Sequence, residues 1–110
     1  MLWNEVVEER GMQGAVAQRD GRIHSILCGS SLHKDAKTGS VVHYDVPNRP
    51  SYRKAIELLK LAGDHGEPFL VYWKASRNEW ENLGPYRVIA HSEGDRSVTF
   101  DMAPSEMSAD

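Results

Sequence analysis

The sequence predicts an α+β fold: a small, curved, mostly antiparallel β-sheet or partial barrel, with one central helix and a short N-terminal helix. Three observations predict it. Five or six short runs rich in β-branched and aromatic residues are separated by Gly, Pro, Asn and Asp turns. Only one stretch has strong helical periodicity, residues 51–63 (SYRKAIELLKLAG), where Tyr52, Ala55, Ile56, Leu59 and Ala62 share a face. A chain of 110 residues also has room for few parallel crossovers.

Residues 2–10 (LWNEVVEER) read as a short helix with Leu2, Trp3, Val6 and Val7 on its apolar side. Glu5, Glu8, Glu9 and Arg10 point elsewhere, and Gly11 and Gly14 end the helix. Residues 15–19 read as a short strand, and Asp20-Gly21 as a hairpin turn into Arg22–Leu27. On that strand Arg22, His24 and Ile26 share a face, where the basic pair either touches ligand or faces solvent. A polar loop over residues 29–40 (GSSLHKDAKTGS) joins it to the next strand and is longer than a hairpin needs. From Ser40 to Val46, Val42, Tyr44 and Val46 take one face and Val41, His43 and Asp45 the other. Pro47-Asn48-Arg49-Pro50 stops this strand. Ser51 is the expected N-cap of the central helix and Gly63 its C-terminal stop. Phe69–Lys74 reads as a central strand with Phe69, Val71 and Trp73 on one face. Ser76–Glu79 turns the chain and residues 80–85 connect. Tyr86–His91 and Ser97–Met102 make a last hairpin around Glu93–Arg96. Residues 1–102 then form a single domain and residues 103–110 a frayed tail.

Net charge is −3, yet its distribution is uneven. From Arg19 to Lys54 there are seven Lys or Arg against three Asp, while the remainder carries six basic and thirteen acidic residues. A basic segment in an acidic chain suggests one face built for an anion. The single cysteine, Cys28, lies in an apolar run, so a reduced core thiol and a cytoplasmic setting are expected. No apolar stretch approaches membrane-spanning length.

Motifs for catalysis are absent: no His-Glu-x-x-His, no Walker loop, no Gly-x-Ser-x-Gly and no Cys-x-x-Cys. His24 and His43 would make metal ligands only if they stood on adjacent strands with a third donor. The expectation is a segment that is not an enzyme, with no metal and no cofactor. The loop over residues 29–40 offers instead His33, Lys34, Lys37 and several hydroxyls with one acid, the chemistry of a phosphate contact or of a solvated loop. Arg49, Arg53 and Lys54 crowd the first turn of the central helix, the unfavourable end for cations unless an anion is present. Phe69, Trp80 and Phe100 are expected to fill the core, whereas Tyr44 and Trp73 are open to either core packing or base stacking.

The order of these features resembles small modified-base-reading modules of the PUA superfamily, the SRA-like and EVE-like domains of modification-dependent HNH restriction endonucleases. The resemblance rests on GSSLHKDAKTGSVVHYDVP, the helix PSYRKAIELL, the strand GEPFLVYWK and the closing LGPYRVIA. The long Gly-Gly-Tyr-Glu-Asp-Asp signature of SRA domains is absent, as is the Gly-x-Lys-x-x-Glu-x-Arg signature of the related ASCH domains. The resemblance implies a PUA/SRA-like curved β barrel that grips double-stranded, modified DNA, with any HNH nuclease fused or associated and no membrane partner. It implies Tyr44 and Trp73 as pocket rings and Asp45 as acceptor for the exocyclic amine of a flipped cytosine. Ser30, Ser31, His33, Lys34 and Lys37 would hold phosphates or enter a groove, and Arg49, Arg53 and Lys54 would steer the backbone. Arg22 and His24 complete the expected DNA-binding set. The alternatives are a PUA-like RNA-binding module and a protein-interaction accessory domain without nucleic-acid binding.

Overall fold

The computed structural model describes residues 1–12, 14–29 and 35–105. In chain order its elements are α1 (Trp3–Arg10), β1 (Val16–Arg19), β2 (Arg22–Cys28), β3 (Ala36–Thr38), β4 (Val41–Pro47), a 3-10 turn (Pro50–Tyr52), α2 (Arg53–His65), β5 (Phe69–Ser76), β6 (Glu79–Glu93) and β7 (Ser97–Pro104). The seven strands form one mixed sheet in the order β1-β2-β5-β6-β7-β4-β3, which is not closed into a barrel. Every pairing is antiparallel except β2 with β5. That exception follows from the long excursion through β3, β4 and α2 between the two strands, because parallel neighbours need a crossover.

Strand alternation divides the apolar residues between two clusters. α2 packs through Leu59 on one face of the sheet over Ile26, Cys28, Tyr44, Val71, Phe100 and Met102, each of these residues no more than 1% exposed. α1 covers part of the other face, where Val6, Leu27, Tyr72 and Trp80 cluster. On β5, Phe69, Val71 and Trp73 join the first cluster and Tyr72 the second, as its period of two requires. Phe69, Trp80 and Phe100 are core residues. The Asp20-Gly21 turn forms as expected, with both residues at positive φ (55° and 77°), the geometry of a tight hairpin.

Several expectations are corrected. The segment over residues 29–40, expected as a loop, contains the short strand β3, and the strands it joins, β2 and β4, have β5, β6 and β7 between them in the sheet. His24 and His43 therefore do not stand on adjacent strands. α2 begins at Arg53 because Pro50–Tyr52 forms a 3-10 turn, and it runs through Gly63 to a left-handed Gly66 at φ 64°. Gly63 serves packing instead: a Cβ there would stand 3.1 Å from Val88 Cγ1, so the bare backbone lets α2 settle on β6. Residues 80–85 are not a connector but part of the continuous strand β6. Val71 faces Gly84 while Tyr72 faces Asn82, so Leu83 is an extra residue and the strand bulges there. β7 runs on through Pro104.

Arg10 does not point to solvent. It is 1% exposed and holds α1 to the sheet. Its Nε donates to Ser25 Oγ at 2.7 Å and its Nη2 to the Gly14 carbonyl at 2.8 Å, with the guanidinium carbon 5.8 Å from the Tyr72 ring centroid. Burial pulls its pKa down. The Tyr72 hydroxyl donates to Glu9 Oε1 at 2.8 Å, and Asn82 Nδ2 donates to the same oxygen at 2.7 Å. Burial, then that hydrogen bond and the Glu9 charge, push Tyr72 from 10 up to about 12. A raised folded-state pKa favours the protonated phenol. The stability it contributes is complete below pH 10 and is lost as pH rises towards 12. Urea titrations across that interval should show a decline of roughly 2 kcal/mol that Tyr72→Phe flattens in part.

Candidate nucleic-acid interface

The candidate site forms where the sheet curls enough for β2 and β4 to approach each other. One side chain spans that gap. Asp35, 2% exposed, accepts the Gly29 N–H on Oδ2 at 3.0 Å and the Asp45 N–H on Oδ1 at 2.9 Å. The carboxylate thus joins the end of β2 to the middle of β4, second and sixth in the sheet. Two backbone N–H groups fix both oxygens, so the group is pre-oriented.

Tyr44 and Cys28 lie within reach of its charge. Tyr44 on β4 is 1% exposed, and burial together with the Asp35 charge, Cys28 and Tyr52 raises its pKa while Arg10 opposes the rise. Cys28 is fully buried, its thiol pKa pushed up by burial first and by Asp35 next, which makes it a poor nucleophile. Trp73 on β5, 8% exposed, stands opposite Cys28, and Lys37 Nζ on β3 lies 4.8 Å from its ring centroid. The Tyr86 hydroxyl donates to the Ser40 carbonyl at 2.9 Å and pins the far end of the loop. Gly29 admits β5 closely: an added Cβ would meet Lys74 Cβ at 2.9 Å and the Lys74 backbone at 3.1 and 3.2 Å. Gly29→Ala is expected to cost about 1–3 kcal/mol by overpacking, read as a lower urea midpoint at unchanged slope.

The expected site residues are distributed unevenly. Lys37 and Trp73 meet each other beside Cys28, and Tyr44 lies within reach of the Asp35 charge. Asp45 is adjacent through its backbone, but its Oδ1 accepts the Thr99 hydroxyl at 3.1 Å, away from the rings. Arg49 and Arg53 line a concavity of about 310 Å³ with Lys60, Glu57 and Glu93. Lys54 is exposed on the first turn of α2. Arg22 sits at the opposite end of that helix, 3.7 Å from Glu67 and in one hollow with Leu61 and His65. The basic segment is therefore more than one patch. His24 Nδ1 contacts Ser25 Oγ at 3.0 Å, and burial, with Arg19 and Arg10 nearby, lowers its pKa. Ser30, Ser31, His33 and Lys34 lie outside the described residues. His43 belongs to a cross-strand network, its Nδ1 2.7 Å from Asp101 Oδ1 and its Nε2 3.0 Å from Thr38 Oγ1.

Sequence reasoning missed Asp35. The available signal was its position as the one acid in a basic loop. Among the described residues no group of three or more His, Cys, Asp or Glu is placed to hold a metal, and no helix is long and apolar enough to cross a membrane.

No family model matches the sequence, and no curated protein matches it. Solved structures do share its architecture. The SRA domain of SUVH5 in complex with hemi-methylated CG DNA superposes with a TM-score of 0.77 at 15% identity, covering 96% of this chain and 85% of that one. The SUVH5 SRA complex with methylated CHH DNA gives 0.73 at 13% identity, covering 96% and 86%. The modification-dependent TagI restriction endonuclease gives 0.69 at 14% identity over 93% of this chain, which spans 47% of TagI. The chain has the fold of the SRA domains.

Proposed function

We propose that this chain is a DNA-binding module that reads modified double-stranded DNA, and that it serves as the specificity domain of a modification-dependent restriction endonuclease. The observation that carries the reading is the buried Asp35 carboxylate, held by two backbone N–H groups beside Tyr44 and Trp73. A carboxylate can accept from the exocyclic amine of cytosine, and a pre-oriented, water-poor one discriminates best. In this reading Asp35 takes the base-contacting role assigned above to Asp45, whose carboxylate is engaged by Thr99. Trp73 offers the stacking face that Lys37 now covers, and a phosphate would draw Lys37 off it. Tyr44 is the rear wall.

Ser30, Ser31, His33 and Lys34 would join Lys37 on the backbone, and Arg49, Arg53 and Lys54 would steer the flanking duplex. Arg22 and His24, away from this end, take no part in the pocket. The structures of SRA domains with methylated DNA and of a modification-dependent endonuclease support the reading at the level of fold. The nuclease would be an HNH domain, fused or associated, working in the cytoplasm. The module itself carries no catalytic role.

Fluorescence anisotropy with duplexes that are unmodified, 5-methylated, 5-hydroxymethylated or phosphorothioated tests this, with matched RNA as competitor. Selective, salt-sensitive binding of one modified duplex is expected. Preference for the RNA would move the protein to the RNA-binding alternative. Replacing Lys37 by alanine should weaken binding to every duplex and reduce the salt slope by about one.

A further inference from the structure

A second concave site lies between α1 and the β5–β6 hairpin. Its volume is about 460 Å³, in the range of small-molecule pockets. Trp3, Leu27 and Trp80 form an apolar wall, with the two indole rings 5.5 Å apart and tilted by 41°. Ala15, Lys74, Arg77 and Asn78 line the rest, and among the described residues no acid does. In a chain of net charge −3, two cations on an apolar, acid-free hollow give it a local preference for anions. Lys74 Nζ stands 5.9 Å from the Trp80 ring centroid, so its charge is held over the apolar wall.

The shape is set by backbone ties. The Trp3 N–H donates to Asn78 Oδ1 at 3.1 Å, and the Trp80 N–H donates to the Met1 carbonyl at 2.7 Å. Asn78 holds the hairpin tip at φ 56°. A ligand would enter a hollow that needs little reorganisation. Lys74 follows Trp73 along β5 and so points to the opposite face of the sheet, which separates this hollow from the Asp35 site.

We propose that this hollow binds a small organic anion with a flat apolar ring, of aromatic carboxylate or sulfonate chemistry. The ring lies against Trp3 and Trp80, and the anionic group meets Lys74 and Arg77. A nucleobase is a poorer match, since Asn78 is the one uncharged polar side chain in the lining for its polar edge. The assignment is independent of the DNA-reading function.

The test uses the whole chain with indole-3-acetate and 1-anilinonaphthalene-8-sulfonate, and with uncharged N-phenyl-1-naphthylamine as twin of the second. Calorimetry should show one saturable site per chain for the anions. Nuclear magnetic resonance should show shifts of the Trp3 and Trp80 indole N–H signals with Trp73 unmoved. Replacing Lys74 and Arg77 together by alanine, neither of them a buried residue, should weaken the anions at least ~tenfold and leave the uncharged twin within about twofold, with the urea midpoint of the variant checked alongside. Absence of saturable binding, shifts confined to Trp73, or equal affinity for the uncharged twin would each overturn the proposal.

Discussion

Asp35→Ala should lower folding stability by about 2–5 kcal/mol and remove any preference for modified DNA. The stability loss follows from the two N–H groups that lose their acceptor. Gly29 is buried and Asp45 half-buried, and an orphaned buried donor costs about 1–3 kcal/mol. For a domain whose total stability is about 5–15 kcal/mol, that is a large fraction. Asp35→Asn separates the two effects. Its amide oxygen retains one acceptor, so most of the fold should survive in a urea titration. Its NH2 group, however, sets a donor against one of the two backbone N–H groups and against an incoming cytosine amine, where the carboxylate had offered an acceptor, and discrimination between duplexes should collapse. If Asp35→Asn folds and still prefers the same modified duplex, the base-reading role of Asp35 is wrong.

Trp73→Ala is expected to destabilise by about 3–5 kcal/mol, because a large buried ring leaves a cavity that its neighbours fill only in part. Trp80→Ala, in the smaller cluster under α1, should cost a similar amount. The two sites differ in what a milder change does. Trp73→Phe keeps a ring in the core but gives up stacking area and the cation–π contact with Lys37. Base stacking contributes about 1–3 kcal/mol per base, so duplex affinity should fall roughly tenfold or more with Trp73→Phe and hardly at all with Trp80→Phe. Equal effects of the two phenylalanine variants would place the stacking face elsewhere.

The elements were largely legible in the sequence, and the reasons are local. Alternation in Val42-Tyr44-Val46 and Val98-Phe100-Met102 marks strands with one buried face, and those residues are in the core. Asp20-Gly21 specifies its turn through φ alone. Strand order was not legible, because nothing local to Cys28 or Trp73 says that β2 pairs with β5 rather than β4. Asp35 was missed for the same reason: its role exists only because the curled sheet brings Gly29 and Asp45 within reach of one side chain. Arg10 shows a different limit. It lies seven residues after Trp3 and four after Val6, on the helix face that packs on the sheet, but a charged residue reads as solvent-facing unless its partners are known. The bulge at Leu83 and the continuity of β6 were hidden by Gly84-Pro85, which reads as a break yet is accommodated where the pairing slips.

The central claim is that this fold reads modified DNA through the Asp35 site. Its most direct test is one anisotropy titration of the intact chain against a single duplex sequence carrying no mark, 5-methylcytosine or 5-hydroxymethylcytosine, at low and moderate salt. The expected result is at least ~tenfold tighter binding of one marked duplex at both salts, with all affinities falling as salt rises. Equal affinity for marked and unmarked duplexes, or no binding at low salt, would contradict it.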